Sequence, residues 1–264
     1  MVTVTQELLQ AYKEEYINLL LSIKRKDADI NGLLNFLENI KFYEAPATTQ
    51  FACSFEGGLL IHSLNVYKNL LKMIPIFTED AETRESPKFM TWLNNLYNLD
   101  EDDFSQKLIE ADPADEYVIN FIKDNKETLL SIKETLIIIG LLHDISKVDT
   151  YEKYVKNEKV YYENGSKKDE LGAFDWSSTI AYKYTDPNKR VCIGPKGFDS
   201  FYSISQFLPL TYAEVAALVN QFSDTDKNST ENLASVLSSY KLVSVLHSAD
   251  LIATYITDTY YVKE

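Results

Sequence analysis

The chemistry of this chain is expected to centre on its histidines, because 264 residues contain only three of them. Each lies in a predicted helix beside small or apolar residues. His62 shares a helix face with Leu59, three residues earlier, so its ring is predicted to point inward. His143 follows the apolar residues 136–142 and directly precedes Asp144. A single buried histidine is usually satisfied by a backbone carbonyl, so no one of these positions indicates chemistry alone.

A second inward acidic residue changes that interpretation. Asp250 shares a predicted helix stripe with Val243 and Leu246. A core rarely keeps two imidazoles and two carboxylates unless they meet, and a divalent cation is the partner that compensates all four. His143 and Asp144 differ by about 100° around an ideal helix, yet both can reach a cation that lies beside the helix.

The segments that carry these residues are Gly57-Gly58-Leu59-Leu60-Ile61-His62-Ser63, Leu141-Leu142-His143-Asp144-Ile145-Ser146-Lys147 and Leu246-His247-Ser248-Ala249-Asp250-Leu251-Ile252-Ala253. In order and spacing they resemble the H…HD…D signature of HD-domain metal-dependent phosphohydrolases. The resemblance covers roughly residues 42 to 257 and is closest to the phage-type HD-domain hydrolases. The three segments together are specific, whereas a His-Asp pair alone carries no signal.

The resemblance implies that His62, His143, Asp144 and Asp250 ligate one divalent ion, which would be Mn, Fe, Co, Ni, Zn or Mg. Mixed imidazole and carboxylate ligands suit such ions, and an open coordination position lowers the pKa of bound water toward neutrality. The resulting hydroxide, closest to Asp144, would attack phosphorus. Lys147 would neutralise the charge that develops on the phosphoryl oxygens, although a solvated lysine at a helix end is an equally good interpretation.

The chain also departs from the pattern that it resembles. Related phage hydrolases usually present Gly-His-Gly-Glu-Lys-Ser after the flap, where this chain has no histidine at residues 193–200. They present another histidine where Asn220, Gln221 and Phe222 stand here. We therefore expect a one-metal site, and loss of catalysis stays open as an alternative.

Further residues are candidates for supporting roles. Arg190 and Lys196 are candidate contacts for a substrate phosphate, though basic residues flanked by glycine are usually just solvated. His247, three residues before Asp250, is a candidate to hold the ligand carboxylate of Asp250 in its orientation, with simple packing as the alternative. Four tyrosines of the flap could stack a nucleobase or pack on helices; they are Tyr151, Tyr154, Tyr161 and Tyr162.

The net charge of the chain limits the classes of substrate and partner that it is expected to bind. With 26 Lys and Arg against 40 Asp and Glu, the net charge is −14 and the pI about 4.7. A long polyanion would be repelled by most of such a surface, so duplex nucleic acid is disfavoured and a small phosphorylated substrate, such as a nucleotide, is favoured. The alternatives are a single-strand nuclease and a degenerate HD module that binds a nucleotide or a protein without turnover. The acidic surface permits a homodimer without arguing for one.

No signal peptide or membrane span is predicted, because the first residues lack a basic and apolar leader and no apolar run approaches about 20 residues. Two cysteines are too few for a disulfide framework, so we expect a cytoplasmic protein.

The expected fold is all-α, a single HD-like helical domain over residues 1–264 with a small inserted β-hairpin flap. Its parts are N-terminal helices (1–41), the first histidine and the His-Asp helix (42–149), the flap (150–199) and C-terminal helices with the last aspartate (200–264). Apolar periodicity predicts helices at about 5–24, 29–40, 59–74, 88–98, 103–110, 114–125, 127–147, 200–207, 211–222 and 231–256. Thr5 is the predicted first N-cap, and Asn164-Gly165 the predicted hairpin turn.

Overall fold

A computed structural model describes residues 1–78, 80–190, 196–221 and 230–263. This part of the chain is mostly helical, with two small β-sheets. Its α-helices are α1 (Gln6–Leu21), α2 (Ile30–Asn39), α3 (Gly58–Lys72), α4 (Ala81–Glu85), α5 (Phe89–Asn98), α6 (Glu101–Ile109), α7 (Glu116–Asp124), α8 (Lys126–Leu142), α9 (Lys196–Ser205), α10 (Tyr212–Val219), α11 (Thr230–Ser239) and α12 (Lys241–Ile252). Its strands are β1 (Val2–Val4), β2 (Tyr151–Tyr161), β3 (Lys167–Asp169), β4 (Gly172–Tyr184) and β5 (Tyr261–Lys263).

Local sequence signals set several helix starts. Thr5 accepts a hydrogen bond from the Leu8 amide at 3.2 Å and caps α1, as predicted. Asp29 accepts one from Gly32 at 2.8 Å and caps α2. The single helix predicted over 231–256 is wrong, because the extended backbone of Tyr240 (φ −127°, ψ 99°) separates α11 from α12.

The prediction of a mainly helical chain with a small β flap is confirmed, whereas the simple hairpin is corrected to a three-stranded sheet and a second sheet is present. Strands β1 and β5 pair in parallel near the two ends of the chain, which the sequence did not predict. The flap is a three-stranded antiparallel sheet in the order β2-β4-β3. Asn164-Gly165 connects β2 to β3, which both pair with β4, and the tight turn is instead Glu170-Leu171, between the paired residues Asp169 and Gly172.

Helices α3 and α8 form the centre of the core. Nearly all of α3 is buried, and so is the C-terminal half of α8 from Leu136 to Leu142. Gly140 makes their close approach feasible, because a Cβ there would lie 2.9 Å from both the Tyr67 Cα and a Leu70 methyl. Asn69 of α3 also donates a hydrogen bond to the Ala249 carbonyl at 3.4 Å, which holds α12 against the same helix.

Two glycines fix where α3 begins. Gly57 has φ +83°, a conformation that favours glycine. A Cβ on Gly58 would lie 2.0 Å from the Cys53 carbonyl oxygen, so no side chain fits between the helix start and the preceding loop. The first turn of α3 is therefore anchored, and the direction of His62 with it.

Among the residues that the structure describes, no helix combines the length and the apolar composition that crossing a membrane requires.

A buried ion pair joins the N-terminal helices to α10. Arg25 donates to Glu214 Oε2 at 2.7 Å, and the Glu214 side chain has no exposed surface. Thr135 and the Thr211 amide also donate to Glu214, each at 2.7 Å. Burial would raise the pKa of the Glu214 carboxyl, but the bonds from Arg25 and Thr135 hold it below its ordinary value.

We expect Glu214→Gln to lower the free energy of unfolding by about 2 kcal/mol at pH 7, because Arg25 would lose its closest partner and keep only Glu134, 3.6 Å away. Glu38→Gln, which breaks an exposed pair with Lys13, should cost at most about 1 kcal/mol. The pKa of Glu214 is lowered by folding, so its contribution is present above the unfolded value of about 4.3 and is lost as the pH falls through the folded value. Urea denaturation at pH 7 and pH 3 measures the free energy of unfolding of each variant and its dependence on pH. If the difference in this free energy between wild type and E214Q grows on acidification, Glu214 does not stabilise the fold as a carboxylate.

The close approach of α3 and α8 makes a prediction for Gly140→Ala. In an uncrowded helix interior this change stabilises a protein by about 0.5–1 kcal/mol. Here the new methyl meets the Tyr67 backbone, so we expect a destabilisation of about 1–3 kcal/mol. A thermal melt distinguishes the two effects, because the melting temperature falls if the methyl group is crowded and rises if it is not. A raised melting temperature would show that the helices are not in contact at Gly140.

Candidate metal centre

Four of the predicted site residues meet at one point. One ligand atom each from His62, His143 and Asp250 lie within 4.8 Å of one another. His62 Nε2 is 3.2 Å from Asp250 Oδ1, and His143 Nε2 is 4.0 Å from the same oxygen. Asp144 Oδ2 is 3.4 Å from both Nε2 atoms. Donors from α3, α12 and the end of α8 thus surround a single position.

Buried polar atoms at this point lack hydrogen-bond partners within the described part of the chain. They are Nε2 of His143 and Oδ1 of Asp144. The two other inward atoms face charged groups: Asp144 Oδ2 pairs with Lys147, and His62 Nε2 lies 3.2 Å from an Asp250 oxygen. A buried polar atom without a partner costs roughly 1–3 kcal/mol, and more when it is charged. A divalent cation would satisfy all of these atoms together, and the imidazole and carboxylate donors suit a transition metal. The donor set therefore fits a cation.

The end of α8 presents His143 and Asp144 together. The predicted helix over 127–147 is wrong at its C-terminus: α8 ends at Leu142, and a 3-10 turn follows over Ile145–Lys147. His143 still has helical angles, whereas Asp144 leaves them with φ −105° and ψ 18°. This break reorients Asp144, so the two side chains are freed from the angular separation that a continuous helix imposes.

The orientation of each imidazole is set by a bond at its other nitrogen. His143 Nδ1 lies 2.9 Å from the Gly140 carbonyl oxygen, which can only accept, so Nδ1 carries the proton. His62 Nδ1 lies 2.7 Å from Asp258 Oδ2. Sequence reasoning missed Asp258; the available signal was an acidic residue two helical turns beyond Asp250.

Lys147 adds a positive charge to the site. Its Nζ forms an ion pair with Asp144 Oδ2, three residues earlier in the chain. Burial raises the pKa of the Asp144 carboxyl, but Lys147 and His143 outweigh burial and hold that pKa well below its ordinary value. Burial also raises the pKa of the Asp250 carboxyl, but nearby positive groups outweigh this effect and lower that pKa to about 2. His62 contributes most, through its hydrogen bond and its charge. Both carboxylates are therefore ionised, the form that binds a cation.

The cation-free site also favours a proton on His62. Burial alone would lower the pKa of this histidine, but the facing carboxylates, Asp258 first among them, raise it well above its ordinary value. A cation must displace that proton from Nε2, so we expect cation affinity to rise with pH.

Of the remaining predicted residues, Arg190 and His247 make hydrogen bonds that do not involve the four converging side chains. Arg190 donates to Thr150 at 3.3 Å, at the base of the flap. Lys196 is the first residue of α9, and its side chain lies outside the described residues. His247 Nδ1 lies 3.2 Å from the Gln221 carbonyl oxygen. Roles for these three in binding substrate or orienting Asp250 stay predictions.

At the positions where the hydrolases that this chain resembles present histidines, the described residues form structural contacts. Gln221 donates to the His143 carbonyl at 2.6 Å, and Asn220 to the Ala216 carbonyl at 2.8 Å. Ser200 donates to the Ser146 hydroxyl at 3.1 Å. Residues 193–195 and Phe222 lie outside the described residues.

Comparison with known proteins gives no relative: no family model, no curated protein and no solved structure matches this chain.

We expect the wild-type chain to bind one equivalent of Mn²⁺ or Zn²⁺, measured by calorimetry. Asp250→Asn should weaken binding by at least about 100-fold, since losing a residue that merely supports a ligand already costs about 10- to 100-fold. Asp115→Asn is the matched control, because Asp115 is a buried carboxylate that accepts from Trp92 outside this centre. Equal affinities in the two variants would remove Asp250 from the site.

Proposed function

We propose that this chain is a metal-dependent phosphohydrolase of the HD type, which cleaves a phosphoester or phosphoanhydride of a nucleotide or similar small substrate. The observation that carries the proposal is the convergence of His62, His143, Asp144 and Asp250, where His143 Nε2 and Asp144 Oδ1 are buried without a hydrogen-bond partner among the described residues. Side chains that merely pack would each have a private hydrogen bond at those atoms.

The charge of the centre supports a cation. Asp144, Asp250 and Asp258 carry three negative charges against the one positive charge of Lys147, so a divalent ion would neutralise the cluster when both imidazoles are neutral. When bound, such an ion supplies Lewis-acid polarisation of a phosphoryl oxygen and acidifies the attacking water.

The chain's own residues would then bind and orient the substrate. Lys147 and Asp250 are the partly exposed members of the centre, with 14% and 17% of their side-chain surface accessible, whereas His62, His143 and Asp144 are buried. A phosphate can therefore enter on the side of Lys147, whose ammonium stabilises charge on the phosphoryl oxygens. Asp144 holds Lys147 in place and keeps it protonated, because Asp144 and Asp250 raise the pKa of Lys147 against the effect of burial.

The surroundings of the centre favour one cation. Gln221 and Asn220, where related hydrolases present a histidine, bond to backbone carbonyls.

The net charge of −14 disfavours long polyanions and leaves a small phosphorylated compound as the better substrate.

Turnover tests the proposal. With Mn²⁺ present, we expect the purified chain to hydrolyse a member of a panel of nucleoside mono- and triphosphates, cyclic and linear dinucleotides, and single-stranded DNA and RNA. His143→Ala and Asp144→Ala should each lower the rate by at least about 100-fold, the effect of losing one transition-state contact. Chromatography of the released products measures it.

Asp115→Asn serves again as the control, since the same purification should leave its rate close to that of wild type. Product release that is equal in wild type, H143A and D144A would indicate a contaminating activity and would contradict the proposal that this chain is a hydrolase. Cation binding without turnover of any panel member would favour a module that binds without catalysis.

A further inference from the structure

We infer that Asp258 is a positioning residue, which holds the proton of His62 on Nδ1 and so directs the Nε2 lone pair at the cation. This inference rests on the proposed metal site. It assigns a role to a residue outside the three motif segments, one that neither binds the cation nor touches substrate.

The contacts of Asp258 are those of a buried, fully used carboxylate. Its side chain is 3% exposed. One oxygen lies 2.7 Å from His62 Nδ1, and the other accepts from Asn65 Nδ2 at 2.8 Å. Asn65 stands three residues after His62 in α3, so a single helix face supplies both groups that meet this carboxylate.

The chain between Asp250 and Asp258 is shaped for this arrangement. In a continuous α-helix, residues eight apart point about 80° away from each other. Here a π-helical segment, Ala253–Thr257, follows α12. Because a π-helix has more residues per turn than an α-helix, each residue rotates by less than about 100° around the axis. Asp250 and Asp258 consequently reach opposite nitrogens of the same ring, Nε2 and Nδ1.

A carboxylate at Nδ1 determines which tautomer is present. Asp258 can only accept a hydrogen bond, so the neutral ring of His62 must place its proton on Nδ1. Nε2 is then free to donate its lone pair, and cation-binding histidines commonly rely on such a partner.

The Asn65 contact makes Asp258→Asn a sharp test. Asn65 donates to one side of residue 258, so an asparagine there keeps its oxygen toward Asn65 and turns its NH₂ toward His62. That donor forces the ring proton onto Nε2, in the path of the cation. In the exchange N65D/D258N, the aspartate introduced on α3 accepts from the NH₂ of the asparagine introduced at residue 258, whose oxygen again faces His62 Nδ1.

The experiment measures Zn²⁺ affinity by calorimetry and records the ring nitrogens of ¹⁵N-histidine by NMR, in the Zn²⁺-loaded protein and in the metal-free protein at alkaline pH. Three histidines give a small spectrum, which His143→Ala and His247→Ala assign. We expect Nδ1–H at His62 in wild type, and Nε2–H with a loss of about 10- to 100-fold in affinity in D258N. The exchange variant should regain Nδ1–H and most of the affinity, while Asp115→Asn changes neither.

The outcomes separate this inference from the proposed function. A wild type that binds no Zn²⁺ overturns both. Equal affinities in wild type and D258N, or a wild-type His62 protonated on Nε2, overturn the role of Asp258 alone. If D258N is weak or unfolded and N65D/D258N folds without regaining Zn²⁺ affinity, Asp258 acts through its charge or its packing, and control of the tautomer is excluded.

Discussion

The structure depends on how a protein core accommodates two imidazoles that face two carboxylates, where His143 Nε2 and Asp144 Oδ1 have no hydrogen-bond partner among the described residues. His62, His143 and Asp144 are almost fully buried, and Asp144 Oδ2 lies 3.4 Å from Nε2 of each histidine. Such an arrangement is costly, because the single positive charge of Lys147, paired with Asp144, offsets only part of the charge of Asp144 and Asp250. A cation bound by these residues would turn this cost into binding energy.

The surrounding fold consists largely of features that hold these groups together. Gly58 lets α3 begin against the Cys53 loop, and Gly140 lets α8 lie against α3. Helix α8 stops at Leu142 and so releases Asp144, and the π-helical turn after α12 brings Asp258 to His62. Departures from regular helix are frequent at functional sites, because a regular helix cannot aim neighbouring residues at one point.

The sequence predicted what depends on local chemistry. Thr5 caps α1 through a bond within its own helix, and the inward placement of His62 follows from apolar periodicity. Asp258 was missed although it is an acidic residue eight positions beyond Asp250, because it reaches His62 only through a π-helical segment, which leaves no periodic signal. The end of α8 and the pairing of the flap strands were also mispredicted, since tertiary contacts decide where a helix stops and which strands pair. The convergence of the four side chains was predicted only because three motif segments were considered together.

The central claim is that one cation binds where the four side chains converge. Diffraction from crystals grown with Mn²⁺ or Zn²⁺, recorded at the absorption edge of the metal, tests it most directly. We expect one anomalous peak within about 2.0–2.3 Å of Nε2 of His62, Nε2 of His143 and one oxygen each of Asp144 and Asp250. A metal-bound protein with its peak elsewhere, or imidazoles that hydrogen-bond to water around an empty point, would contradict it.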